Sequence, residues 1–322
     1  MSILITGGLG FIGVGLAHEL VAKGKEVVLF DIVTRPERVA DIKDNVKIIP
    51  GDLKVWPEVM NVVKDNKVTE IFHLGAMLSV PSEGNPWGSF QTNVAGTMYV
   101  LEAARLFGVK KVIFPSSVAS YGLDTGEVVT DVTLQRPITM YGASKVYGEL
   151  LGRFYRRRFD LDFRCVRYGG VVGPGVKTPG IAQYNAWMIE NAAIGRPFEC
   201  FVTEDTSVPI TYFKDAVHAT LMLYEAPRKN IKTVCYNISE FSPAPTAREL
   251  ELTIRKFIPD LKVTYKPDPV VMAFYKNQSM KTIDDRRARE EWGWQPRFGN
   301  LKDMVADFIN EVRTRPAYYG LA

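Results

Sequence analysis

Ile3-Leu4-Ile5-Thr6 is a short apolar run that passes straight into Gly7-Gly8-Leu9-Gly10-Phe11-Ile12-Gly13. A helical spacing follows through Leu16, Ala17, Leu20 and Val21, so the chain opens as strand, glycine loop and helix. Residues 25–31 form the next strand pattern, ending in Asp31, and residues 46–49 a third, running on to Gly51-Asp52-Leu53. Residues 71–76 and 109–114 read as the fourth and fifth strands, the last leading into Pro115-Ser116-Ser117. Helical patterns open at Asn93, continuing through Leu101 and Ala104, and at Met140, continuing through Leu150, Leu151 and Phe154. Strands alternating with helices predict an α/β protein with a doubly wound parallel sheet of the Rossmann type. Ligands of such sheets bind beyond the carboxyl ends of the strands. Gly10, Asp31, Asp52, Ala76 and Ser117 all fall at predicted strand ends, so one rim should collect them.

After about Asp162 the alternation loosens. Residues 171–175 (Val-Val-Gly-Pro-Gly) read as a loop over the nicotinamide end of a bound dinucleotide, and residues 209–223 as a return to the main sheet. The expected organisation is a nucleotide-binding unit over 1–165, with its sheet completed by roughly 208–238. A smaller substrate lobe is expected from 166–207 and 239–322. Substrate specificity belongs where the two meet.

A chain of 322 residues can bury a large core, and its formal charge of +4 makes no case for nucleic acid. Arg156-Arg157-Arg158 closes a helical pattern, where cations suit the dipole. Cys165, Cys200 and Cys235 are odd in number and far apart, which excludes a disulfide framework or a metal spacing and points to a reducing cytoplasm. The strand pattern begins at once with no leader before it, and no apolar run has the length of a membrane helix.

The chemistry follows from position. Gly7 permits a tight turn, Gly10 lets backbone amides approach a pyrophosphate, and Gly13 allows close helix–strand packing. The helix start at Phe11 and Ile12 adds partial positive charge at the phosphates. A carboxylate at Asp31 accepts ribose hydroxyls and repels a 2′-phosphate, which favours NAD over NADP, although Arg35 nearby could meet a phosphate. Asp52 and Leu53 should lie at an adenine edge, and Leu74, Gly75 and Ala76 beside the cofactor path. His73 has no second titrating partner in view and reads as a packed histidine. Tyr141 and Lys145 lie four apart on one helix face, where an ammonium should draw the phenol pKa down toward the range of proton transfer.

The glycine loop, Asp31, the Asn93 helix, Ser117 and Tyr141-x-x-x-Lys145 together resemble the extended short-chain dehydrogenase/reductase superfamily. The resemblance implies that Tyr141 is the acid/base, that Lys145 holds the ribose and tunes Tyr141, and that Ser117 hydrogen-bonds the reacting oxygen. It adds Asn93 and Tyr168 to the NAD site. Residues 73–79, 84–86, 163–168, 204–209, 236–239 and 283–294 are similar to the short-chain type of L-threonine 3-dehydrogenase. Ser79 matches that pattern. Where that family has Gly-Thr-Thr-Asp-Tyr, this chain has Gly180-Ile181-Ala182-Gln183-Tyr184, and where it has Asp-Ser-Trp-Pro, this chain has Asn277-Gln278-Ser279-Met280. Apolar side chains cannot orient a zwitterion, so the expected substrate is a small polar secondary alcohol other than threonine. Ser79, Ser117, Ile181, Ala182 and Gln183 are its candidate contacts.

Two other readings remain open on sequence. A sugar-nucleotide epimerase or dehydratase would need cations for a second pyrophosphate. Residues 199–210 carry Glu204 and Asp205 but no Lys or Arg, while Arg196, Arg286 and Arg287 lie elsewhere in that half. A non-catalytic NAD sensor would be expected to have a damaged Ser/Tyr/Lys set, and this set is intact. The apolar surplus on the helices over 97–107 and 144–159 adds, through the resemblance, the expectation of a homodimer.

Overall fold

A computed structural model describes residues 2–33 and 35–321. The first half builds strands β1 (Ser2–Thr6), β2 (Glu26–Asp31), β3 (Val46–Pro50), β4 (Val68–His73) and β5 (Lys111–Ser117). Helices α1 (Phe11–Ala22) and α2 (Trp56–Asp65) alternate with them, followed by the short α3 (Ser79–Gly84) and α4 (Pro86–Ser89), then α5 (Gly96–Leu106). A short strand β6 (Val128–Val129) precedes the long helix α6 (Met140–Phe159), which returns the chain to β7 (Asp162–Tyr168). The second half contributes β8 (Gly170–Val172), α7 (Tyr184–Ala193), β9 (Phe198–Cys200), β10 (Ile210–Tyr212), α8 (Phe213–Glu225) and β11 (Cys235–Asn237). It ends with α9 (Ala247–Arg255), β12 (Val263–Tyr265), α10 (Pro269–Lys276), β13 (Thr282–Ile283), α11 (Arg286–Trp292) and α12 (Leu301–Thr314).

Seven strands form one parallel sheet in the order β11-β7-β5-β4-β1-β2-β3. The order reverses between β1 and β4, which is the switch point where such sheets take their ligands. Both faces are covered. Ile3 and Ile5 pack toward α1 and α8, with Leu20, Val217 and Leu221, while Leu4 faces the core shared by α2, α5 and α6. That alternation is the two-residue period of a strand buried on both sides.

Strand β7 lies inside the sheet with all seven residues buried, although it carries Asp162, Arg164 and Arg167. Arg164 is neutralised by a two-point pair with Asp162 at 3.0 and 2.7 Å and donates to the carbonyls of Leu223 and Ala226, each at 2.6 Å. Those charges broke the apolar pattern. β7 therefore runs to Tyr168, past the boundary expected near 165.

Two expectations for the second half are corrected. Val171 and Val172 belong to a strand and not to the expected loop, which is left to Gly173-Pro174-Gly175; the strand pairs with Ile210–Tyr212 in a separate two-stranded sheet. Residues 209–223 do not rejoin the main sheet, since β10 pairs with β8 and α8 only covers it, while Cys235–Asn237, within 208–238, adds its edge strand. A separate core built on α7, α9 and α12, with Tyr184, Met188, Leu250, Ile254, Met304 and Phe308, underlies the smaller lobe. Among the described residues no helix is long and apolar enough to cross a membrane.

Glu240, just beyond β11, is buried, and neither carboxyl oxygen has a hydrogen-bond partner among the described residues. Burial foremost, then the charges of Asp215 and Asp285, pushes its pKa well above the ordinary 4.5. The unfolded chain ionises while the folded chain keeps the proton. This stability is therefore full below pH 4.5 and is lost as pH rises through the folded pKa. Glu240→Gln is expected to raise stability by about 1–3 kcal/mol at pH 8 and to give no gain at pH 4. Thermal melts of both proteins across that range check it; equal melting curves at pH 8 would contradict it.

Candidate active site

The loop between β1 and α1 is shaped by contact with backbone. Gly7 has φ +65°, and a Cβ on Gly13 would lie 2.5 Å from the Gly7 carbonyl oxygen and 2.8 Å from that of Gly8. No side chain caps α1, so its N-terminus, with Phe11 and Ile12 half-buried beside Gly10, is left to an outside anion. Asp31, half-buried at the end of β2, accepts the amides of Leu9 at 3.0 Å and Val33 at 3.1 Å. Arg38 grips Leu9 from its other side, at the carbonyl, at 3.0 Å. At the end of β4 the Gly75 amide donates to Thr6 Oγ1 at 3.1 Å, and a Cβ on Gly7 would lie 2.8 Å from Gly75 Cα. Leu74, Gly75 and Ala76 thus lie against the glycine loop. Asp52 accepts the amide of Lys54 at 2.9 Å, and Leu53 is buried beneath Gly75 and Gly96. A tight loop, an uncapped helix start and a half-exposed acid one strand away fit a dinucleotide.

Helix α6 brings the other set. Thr139 caps it, accepting the Gly142 amide at 3.0 Å, and Glu83 of α3 accepts the Met140 amide at 2.7 Å. A Cβ on Gly142 would lie 2.4 Å from the carbonyl oxygen of Ala119, so the turn bearing Tyr141 rests on the residues just after Ser117. Ser144 donates to the Tyr141 carbonyl at 2.7 Å and receives the Asn93 amide at 3.2 Å. Asn93 is itself buried and clasps both backbone groups of Met77, at 2.7 and 2.9 Å. Its side chain holds the β4 loop to α6. Ser117 is half-buried at the end of β5 and its Oγ accepts the Ala119 amide at 3.2 Å.

Lys145 is buried, donates to the Pro115 carbonyl at 2.7 Å and lies 5.4 Å from the centre of the Tyr141 ring. Burial lowers its pKa to about 8, with Cys165 and Glu149 opposing the drop. Tyr141 moves the other way from the expected direction: burial alone raises its phenol above the ordinary value. The Lys145 ammonium, which donates to the Pro115 carbonyl, does not offset that burial. Tyr168 also departs from expectation. Its ring is buried, and its hydroxyl is bonded to Thr220 on α8, so the side chain faces the core and not the rim. His73 is a packed histidine, held by Thr6 at 2.7 Å and Thr97 at 3.1 Å, with its pKa lowered to about 3, chiefly by burial.

The residues expected to meet the substrate come from distant segments. Ser117 and Tyr168 are register partners, and two residues on, a Cβ at Gly170 would lie 2.9 Å from the Ala182 methyl. Ile181, Ala182 and Gln183 form one short turn, half-buried, with the Ile181 carbonyl held by the Tyr275 hydroxyl at 2.9 Å. Ser79 is the first residue of α3 and is half-buried. The sequence reading missed Glu83, Thr139, Glu149 and Arg167. Glu149 was detectable, being four residues beyond Lys145 on the same helix face.

Residues 3–239 match the NAD dependent epimerase/dehydratase family, from the first strand to just past the last strand of the sheet, and the chain belongs to that family within the extended short-chain dehydrogenases/reductases. Its likeness then narrows. The mitochondrial L-threonine 3-dehydrogenase of Bos taurus is 36% identical over 312 residues, which cover 96% of this chain and 82% of that one. The holo form of the GalE-like L-threonine dehydrogenase from Cupriavidus necator has a TM-score of 0.88 at 32% identity, covering 97% of this chain and 100% of that one. UDP-glucose 4-epimerase from Thermotoga maritima has a TM-score of 0.85 at 24% identity, covering 98% and 99%, a likeness of fold alone.

Proposed function

We propose that the chain is an NAD-dependent dehydrogenase that reversibly oxidises a secondary hydroxyl on a small polar molecule. The observation that carries this is the packing of the Tyr141 turn and of Lys145 on either side of Ser117, through Ala119 and Pro115, on the rim that also holds the glycine loop. Gly7, Gly10, Gly13, Phe11 and Ile12 would hold the pyrophosphate of NAD, Asp31 a ribose, and Lys145 the ribose nearer the reaction. When bound, NAD supplies the acceptor for the hydride leaving the carbinol carbon. Ser117 orients the substrate oxygen and Tyr141 takes its proton. Lys145 would leave the Pro115 carbonyl or share its donors, since an ammonium has three. The L-threonine dehydrogenase relatives support the reaction class.

Ile181 and Ala182 supply no polar side chain, and Gln183 supplies a neutral amide where the L-threonine dehydrogenase pattern has a carboxylate, so the turn would grip an amino acid's ammonium less firmly. The sugar-nucleotide reading has less behind it: Arg286 is already engaged with Asp284 at 2.7 Å. We further propose a homodimer through α5 and α6, because Met98, Tyr147, Leu150 and Phe154 expose apolar surface on those helices. Three buried free cysteines fit a cytoplasmic setting.

Tyr141→Phe is expected to lower turnover by ~10²–10⁴ with NAD binding retained, as steady-state rates on a panel of secondary alcohols and NAD titrations will show. An active variant would overturn the mechanism. L-Threonine should be a poor substrate of the wild type, and Thr, Thr and Asp placed at 181–183 should raise its kcat/KM. Efficient threonine oxidation by the wild type would sink the specificity claim.

Calorimetry should find NAD bound at least roughly tenfold more tightly than NADP, because a 2′-phosphate would have to sit against the Asp31 carboxylate. Equal affinities would reject that preference. Light scattering at micromolar concentration should return twice the mass of one chain; a single-chain mass would remove the dimer.

A further inference from the structure

Glu149 is the most connected carboxylate near the site, and the reaction described above has no use for it. It is buried on α6, one turn beyond Lys145. One oxygen accepts Ser116 Oγ at 2.6 Å and Arg167 Nε at 2.8 Å; the other accepts Arg167 Nη2 at 2.6 Å and Gln135 Nε2 at 3.0 Å. Arg167 is also buried, and its remaining nitrogen donates to Tyr121 Oη at 2.6 Å and to the Asp131 carbonyl at 3.1 Å. Tyr121 Oη reaches Asn237 Oδ1 of β11 at 2.6 Å.

Every element tied here carries a site residue or adjoins one. Ser116 precedes Ser117 on β5, Arg167 precedes Tyr168 on β7, and the two are register partners in the sheet. Gln135, Tyr121 and Asp131 belong to the segment that crosses from Ser117 to α6. A buried ion pair is a weak source of net stability, because desolvation cancels most of the attraction. It is nevertheless directional: four donors converging on one carboxylate fix three chain segments relative to one another.

We infer that Glu149 is a positioning residue: through Ser116 and Arg167 it locks the end of β5 against α6, and so sets Ser117 relative to Tyr141 and Lys145. The inference rests on the dehydrogenase reading for its kinetic consequence, but not for its structural one.

Ser116→Ala removes one bond from the node and leaves the ion pair intact. Its kcat is expected to fall roughly tenfold, with KM for NAD and the melting temperature nearly unchanged, since small misplacements at a reacting centre are costly. The double variant Glu149→Leu/Arg167→Met removes the pair without stranding a buried charge, so it should fold and lose roughly 10- to 100-fold in kcat. Hydrogen–deuterium exchange read by mass spectrometry supplies an arm independent of turnover. Ser116→Ala should speed exchange in residues 117–123 and the first turn of α6 while leaving α2 unchanged. A wild type that oxidises no alcohol would defeat the dehydrogenase reading and leave the exchange arm to decide this one. Wild-type kcat and exchange in Ser116→Ala would overturn the inference, as would a well-folded double variant with undiminished turnover.

Discussion

The site depends on how closely α6 can lie on the sheet. A Cβ on Gly148 would come within 2.5 Å of the Phe114 ring, and one on Gly152 within 2.1 Å of the Phe163 ring. Two rings from adjacent strands therefore fill the places of two side chains on the inner face of the helix. Any larger residue there would lift α6 off β5 and β7. Lys145, one turn before Gly148, reaches the Pro115 carbonyl only because of this approach, and Tyr141 is carried to the rim by the same rigid rod. The two pieces of chemistry, the hydroxyl set on α6 and the glycine loop after β1, share one rim because the sheet reverses between β1 and β4, three strands from β11 and two from β3.

Around this frame the buried polar groups divide into two kinds. His73, Asn93, Arg164, Glu149 and Arg167 are buried and hydrogen-bonded, so each holds a loop or strand end to its neighbour without a stranded donor or charge. Glu240 is the opposite case: a buried carboxyl under the charges of Asp215 and Asp285 whose oxygens have no hydrogen-bond partner among the described residues. Most of the first kind lie near the carboxyl ends of the strands, while Arg164 pairs with Asp162 at the amino end of β7. The second lies where α8 and the segment after β11 meet the smaller lobe, and it costs stability when ionised.

Much of the nucleotide half was legible because its signals are local. Alternating strands and helices, a glycine loop in sequence with a strand and a helix, and an acid at the end of β2 all depend on neighbours within a dozen residues. Tyr141 and Lys145 could be paired from helix geometry alone. The environment of Tyr141 could not, since the direction of its pKa is set by burial among segments distant in the chain. β7 lacks a clean apolar run for a related reason: Asp162, Arg164 and Arg167 interrupt it, and the partners of the two arginines on α6 and α8 are distant in sequence. The side-chain direction of Tyr168 was not legible, because a strand's end gives its side chain either face, and here the hydroxyl points to Thr220.

The substrate end is the part that local patterns do not carry. β6 pairs with β13, so Val129 lies opposite Ile283, and Ser279 donates to the Leu123 carbonyl from 156 residues away. Ile181 is held by Tyr275 and Ala182 abuts Gly170. Apart from the hold of Tyr275 on Ile181, which is internal to the smaller lobe, these contacts join segments near the Ser117 and Tyr168 strand ends to that lobe, and they work through backbone groups or a methyl. Backbone groups are present whatever the side chain. A lobe attached in this way can exchange the residues facing a ligand while keeping its position over the rim. That is why the Ser/Tyr/Lys set and the loop of glycines can remain intact while Ile181, Ala182 and Gln183 stand where the L-threonine dehydrogenase pattern has polar side chains.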